Sequence, residues 1–256
     1  MTSSPVSTLR AWPVSALAVW AAARAAGRCA PDDVLHTLHD YSQAHELDGL
    51  MSGDVLDLLD VVSGNAHLAV RMPSPGDAQG LPPGTPDGAE VLLIDDRPLG
   101  SEGPTAALAL TARGTAERCR WELSRVPTPL AVDRLSSDLP LGELEYELRE
   151  AVGEAAQLIA GLSGARASSP ADLRDALAAL TEARRIDLPP HEHPRVDRVI
   201  TSAAQIDAII DLAGVGALGV SGAQTDVADH RLRRLTALTR TARTAAINTL
   251  ITDYRR

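Results

Sequence analysis

The sequence predicts an α+β protein in which a small antiparallel sheet of three to five strands packs on a predominantly helical body. Three observations predict it. Apolar residues recur at helical spacing near the start of the chain and again beyond residue 140, while the stretch between alternates with period two. A Pro- and Gly-rich segment interrupts that stretch where neither helix nor ladder can form. The chain has 256 residues and is 45% apolar, long enough to bury a core without a metal or disulfide staple.

The elements follow in order. Val14–Ala26 is expected to be helical, with Pro13 tolerated in its opening turn and Gly27 ending it. Asp32–Tyr41 follows, its first two acids suited to the positive end of a helix. Asp54–Val62 carries Val55, Leu58, Leu59 and Val62 at helical spacing. From residue 67 the period changes. His67–Met72, Glu90–Asp95, Ala106–Thr111 and Glu117–Val126 read as short strands of a sheet with one wet face. In the last of these Cys119, Trp121 and Leu123 face one way and Arg118, Arg120 and Glu122 the other. Helices return at Leu141–Leu162, on a Leu144, Leu148, Val152, Ala155, Ile159 stripe, and at Pro170–Arg184. Ile186–Pro194 must be extended because of its prolines. Arg195–Ala213, a turn over Gly214–Gly222 and a final helix from about Thr225 to Thr252 complete the chain. Residues 1–163 thus hold helices plus the sheet, and 164–256 a helical region, either separate or continuous with the first.

Composition excludes several functions. Phe is absent, all 24 basic residues are Arg, and Asn occurs only at Asn65 and Asn248. Strong GC pressure on codons gives that pattern without any functional cause. The net charge of −10 argues against general binding to nucleic acid or acidic membranes. The charge is uneven, however. Residues 231–256 hold seven Arg and one Asp, a balance of +6, which leaves −16 on residues 1–230. Cys29 and Cys119 have no motif spacing and are expected to be reduced, buried thiols of a cytoplasmic protein. Val14–Ala23 is too short to span a bilayer, and Arg24 stands where a leader's cleavage site would be small and neutral. A first helix is the expectation there, and no membrane association.

Chemistry-bearing clusters are few. His191, Glu192 and His193 have zinc-ligand types, but their spacing in a Pro-flanked loop fits solvated residues better. His36 and His39 are read as surface residues near a helix C-terminus. Gly214–Gly222 lacks the Lys and the strand context of a phosphate loop and reads as a turn between helices. Carboxylates such as Asp95-Asp96 and Glu143, Glu145 and Glu147 are not assigned to catalysis: Asp95-Asp96 marks a turn at a strand end, and Glu143, Glu147 and Glu150 sit on a solvated helix face opposite the Leu stripe. No catalytic residue, metal or cofactor is indicated, and the reading leans away from an enzyme.

Two surfaces stand out as binding candidates. The final helix places Leu232, Leu235, Leu238, Ala242 and Ala246 on one arc and Arg233, Arg240 and Arg243 opposite. That face can pair with the protein's own acids or with an acidic protein partner; few aromatics accompany it, which disfavours nucleic acid. The loop Pro73–Gly88 has five Pro and four Gly in sixteen residues. A pocket beneath it could gather Arg71, Asp77 and Trp121, with Leu81 its one sizeable apolar side chain.

The same loop carries a resemblance. Pro75, Gly76, Asp77, Gly80, Leu81 and Pro82, followed by Pro83-Gly84, resemble the PGDxxGLPGP-like loop of an uncharacterised family of actinobacterial proteins. The Trp121 strand and the Leu-rich helix after LPLGEL extend it. The resemblance implies an actinobacterial source and supplies no activity and no catalytic residues. The leading expectation is a non-enzymatic binding or protein-interaction protein, or a homodimer. A ligand binder or small-molecule enzyme with a pocket under the 73–88 loop is the alternative, and nucleic-acid association through the last helix a third.

Overall fold

The computed structural model describes residues 8–63, 67–95, 107–132, 135, 140–163, 170–216 and 222–256. Among them are α1 (Pro13–Ala25), α2 (Pro31–Tyr41), β1 (His45–Gly49), α3 (Val55–Ser63), β2 (Leu68–Arg71), β3 (Val91–Asp95), β4 (Ala107–Gly114) and β5 (Cys119–Arg125). Then come α4 (Leu141–Ser163), α5 (Pro170–Ala183), α6 (Pro194–Gly216) and α7 (Gly222–Tyr254). The α+β class is as expected. Chain contacts define two compact units. Unit 1 holds residues 1–137, 186–192 and 247–256, and unit 2 holds 138–185 and 193–246.

Unit 1 is built on a five-stranded sheet in the order β1-β5-β4-β3-β2. Four strands pair antiparallel, but β1 runs parallel to β5, with Leu47 opposite Trp121. The sheet is therefore mixed, a correction to the all-antiparallel expectation. The sequence HELDG has no β-branched or aromatic strand former and a single apolar residue, so β1 carries no strand signal of its own. It is held by β5, and by burial of His45 and Leu47.

The expectation of one wet face also needs correction. On one face lie Val70, Leu92, Leu110 and Trp121, related by register, beneath the helices. α1 crosses β2, β3 and β4 on that side. The opposite face is dry over β2 to β4, where Ala69, Val91, Leu93, Ala107 and Ala109 pack with Val126 and Val132. Leu81, Leu130 and Leu135 close over that cluster. Toward β5 and β1 this face turns wet, with Arg120, Glu122, Arg113 at the end of β4 and Asp48 exposed, while Cys119, Trp121 and Leu123 are buried on the other face.

Both edges of the sheet are closed. At β2, the Asn248 side chain of α7 bonds the N–H and the carbonyl of Val70. At β1, Leu47 exchanges backbone bonds with Gly53 at 2.9 and 3.1 Å. An unpaired strand edge templates association with other chains, and both devices remove one. Gly49 makes the turn out of β1 at φ 102°, and a Cβ there would run into the carbonyl oxygen of Leu123.

α1 starts unusually. Its N-cap residue Trp12 is left-handed and offers no capping side chain. The buried carboxylate of Glu90 takes that role from across the chain, accepting from Val14 N at 3.0 Å, from Ser15 N at 3.2 Å, and from the Ser15 hydroxyl. The segment 186–192 forms no helix or strand and bends at Pro190 and Glu192, and α6 already begins at Pro194, inside the stretch expected to be extended. Arg10 pairs with Asp187 at 2.7 Å and stacks over the Tyr41 ring, and the Trp20 indole donates to the Asp187 carbonyl. Tyr254 donates to the Pro190 carbonyl at 2.7 Å.

Unit 2 is helical. α4 packs on α6 through Leu144, Leu148, Ala151 and Ala155, spaced along one stripe, against Val196, Val199, Ile200 and Ala203. The Ile159 side chain, residues 64–66 and 217–221, and Asp96 lie outside what is described. α6 continues as helix to Gly216, so part of the expected Gly214–Gly222 turn is helical. No helix among the described residues is long and apolar enough to cross a membrane.

Candidate functional site

The α4–α6 contact builds the site. Because Leu144 and Leu148 point into the contact, Glu145 and Arg149 fall at its margin, one turn apart on α4. On α6, burial of Val196 and Val199 places Arg195 and Arg198 at the same margin. All three guanidinium groups meet the one carboxylate of Glu145. Arg198 forks onto both oxygens at 2.7 and 3.5 Å, Arg195 reaches it at 3.1 Å, and Arg149 at 3.4 Å. Glu145 is only 14% exposed, whereas Arg149, Arg195 and Arg198 are 69%, 56% and 54% exposed. The Arg198 hydrogen bond, with Arg195 adding to it, holds the Glu145 carboxyl below its ordinary range. Glu145 in turn raises Arg198.

Beside the cluster lies an open groove of about 390 Å³. Glu145, Arg149 and Val152 line it from α4, and Asp197, Arg198, Thr201, Ser202 and Gln205 from α6. Three arginines against two acids leave this margin positive, on a chain that is negative overall. A guanidinium has five donors in a planar fork, so an arginine sharing one carboxylate keeps donors for another. The arrangement is suited to holding carboxylates.

A second surface in unit 1 has the opposite character. The Leu47–Gly53 bonds pinch residues 47–53 into a protrusion that leads directly into α3. Asp54 caps that helix, accepting from Leu56 N and Asp57 N, and Asp57 returns a bond to Asp54 N. Leu50, Met51 and Leu56 are exposed there at 49%, 40% and 53%. Asp48, Asp54, Asp57 and Asp60 are exposed around them.

The comparisons with known proteins agree with this two-part build. Residues 14–136 match the model of the Rv1486c-like protein, N-terminal domain, and residues 142–244 match that of its C-terminal domain. The chain belongs to the Rv1486c-like protein family. The Uncharacterized protein Rv1486c of Mycobacterium tuberculosis is 29% identical over 283 residues, covering 93% of this chain and 97% of that protein. The Uncharacterized protein ML1804 of Mycobacterium leprae is 26% identical over 291 residues, with the same coverage of both. The actinobacterial family expected from the 73–88 loop is thereby shown, and it brings no assigned activity. No solved structure matches the chain.

In this member of the Rv1486c-like family the residues singled out from sequence are spread apart. Arg71 is buried on β2 and donates to the carbonyls of Leu135 and Val70. Trp121 lies on β5, three strands further across the sheet and on the opposite face by register. Its indole donates to His45 Nδ1 at 3.0 Å. Asp77 is exposed and closes a turn with Ser74 by two backbone bonds, while its carboxylate accepts from Gln79 N. Gly76 makes that turn at φ 87°, which explains the Pro-Gly-Asp motif locally. Gln79 then caps the Met72 N–H, and Leu81 packs on the sheet.

On α7, Arg233 is exposed and Arg240 half-buried. Arg243 is fully buried and pairs with Asp207 at 2.8 Å. Both cysteines are free; Cys119 is buried but Cys29 only half-buried. His36 and His39 are exposed, and no group of three or more metal-ligating side chains occurs among the described residues. Sequence reasoning missed the α4–α6 cluster. The Glu145–Arg149 spacing was a visible signal, but its meeting with Arg195 and Arg198 spans some fifty residues.

Proposed function

We propose that the protein is a non-enzymatic, cytoplasmic interaction protein that takes an acidic protein partner at the α4–α6 groove. One observation carries the reading: three largely exposed arginines are held on a single carboxylate at the mouth of a groove. Glu145 fixes their direction before any partner arrives, so less side-chain freedom is lost on binding. Partner carboxylates then meet donors already in place. The groove is preferred to the Pro73–Gly88 loop because Leu81 packs on the sheet beneath that loop, where a ligand would sit. It is preferred to Arg243 because that side chain is buried in an ion pair of its own. The free thiols Cys29 and Cys119 suit a reducing compartment.

The test is fluorescence polarisation with a labelled glutamate-rich peptide. Binding is expected to weaken steeply with salt and at least tenfold in an Arg149→Gln, Arg198→Gln variant. A peptide that ignores the wild-type protein at low salt, or binds the variant equally well, overturns the reading.

A further inference from the structure

We propose that the acidic partner at this groove is a second copy of the chain, which presents the protrusion together with the start of α3, residues 47–60. The inference rests on the groove reading above and names its partner. The two surfaces are complementary in charge and in kind. The protrusion displays Leu50, Met51 and Leu56 among four exposed aspartates, with no Lys or Arg between Glu46 and Asp60. The groove offers apolar Val152 between Arg149 and Arg198, and Tyr146 stands 61% exposed on the same helix. Exposed apolar side chains ringed by one charge mark a surface that another protein covers. The opposite ring is present on the same polypeptide.

The closed sheet edges narrow the mode of association. Val70 and Leu47 already spend their outward backbone bonds on Asn248 and Gly53, so contact through side chains is favoured over strand addition at those points. A protrusion meeting a groove is heterologous; two copies can exchange the contact reciprocally or pass it from one copy to the next. A contact made by three exposed apolar side chains ringed by charges is expected to be weak and salt-sensitive rather than obligate.

Sedimentation velocity of the full chain tests it. Average mass should rise with concentration at about 0.05 M salt and return to that of the monomer near 0.5 M, where screening is short-ranged. An Asp48→Arg, Leu56→Arg, Asp60→Arg chain should stay monomeric, because three arginines against Asp54 and Asp57 turn its protrusion positive and it now repels the groove. So should an Arg149→Glu, Arg198→Glu chain. Mixing the two should restore association, since each reversed surface meets an opposite one. If the groove variant loses helicity, Arg149→Gln with Arg198→Gln takes its place, with at least a tenfold loss of self-association expected. Wild-type chains that remain monomeric while binding the glutamate-rich peptide overturn the second-copy inference and leave the groove reading standing. Variants that associate like wild type, or a mixture that stays monomeric, also overturn it. Loss of peptide binding as well takes both down.

Discussion

Asn248 completes the sheet at Val70: its Oδ1 accepts the Val70 N–H at 2.8 Å and its Nδ2 donates to the Val70 carbonyl at 3.1 Å. One side-chain amide thus does what a neighbouring strand would do, for one residue. Asn248→Ala strands two buried backbone groups, at a cost of roughly 2–4 kcal/mol. Asn248→Asp keeps the acceptor but turns an oxygen toward the Val70 carbonyl, and should recover little. Amide exchange at Val70 is the direct readout. Protection at Val70 as high in Asn248→Ala as in the wild type would sink the assignment.

Glu90 is the second long-range cap. Removing its carboxylate leaves the first N–H groups of α1 without an acceptor in a buried place. Glu90→Ala should cost about 2–3 kcal/mol, the range for hydrogen bonds to a charged group. Glu90→Gln keeps one acceptor and should lose less. Urea unfolding of the three proteins gives the ranking, and equal midpoints would show that α1 is held by packing alone.

How much of this was legible beforehand differs by element. The α4 stripe and the β5 alternation show in the sequence because each depends on residues a few positions apart. Glu90 and Asn248 did not, since they serve backbone groups 76 and 178 residues away and carry no local pattern. The α7 wheel failed for another reason. It assumes one buried stripe along the helix, yet residues 242–248 are buried on every side, so Arg243 is enclosed whichever way it faces. The groove needed the register of α4 against α6, which neither helix encodes alone.

His45 should make stability depend on pH. Its Nδ1 accepts from the Trp121 indole and its Nε2 donates to the Leu38 carbonyl, an arrangement that requires the neutral ring. Burial lowers its pKa from the ordinary 6.5, and the neighbouring His39 adds to that. A group lowered in the folded state binds its proton more readily when unfolded. Stability is therefore full above pH 6.5 and declines as pH falls below that value. The urea midpoint should drop between about pH 7 and pH 5, and His45→Gln should flatten this part of the profile. An unchanged slope in the variant would assign the effect to other groups.

The two thiols should differ in reactivity. Burial pushes Cys119 up to about 12, and raises Cys29, which is only half-buried, less far. Since the thiolate is the reacting form, a disulfide reagent should modify Cys29 slowly and Cys119 only after denaturant is added. Equal rates for both in the native protein would contradict the buried placement of β5.

Because Asn248 and Asp187 belong to unit 1, the order of synthesis on the ribosome acquires a cost. All five described strands are made by residue 125, yet the bond partner of Val70, Asn248, is translated 178 residues after Val70 itself. A nascent chain therefore carries its sheet with one margin open until residue 248 has been made, the condition in which strands find wrong neighbours. The same holds for a chain cut between the two family-matched regions, after residue 136: it keeps every strand and loses the residues that cap and strap them.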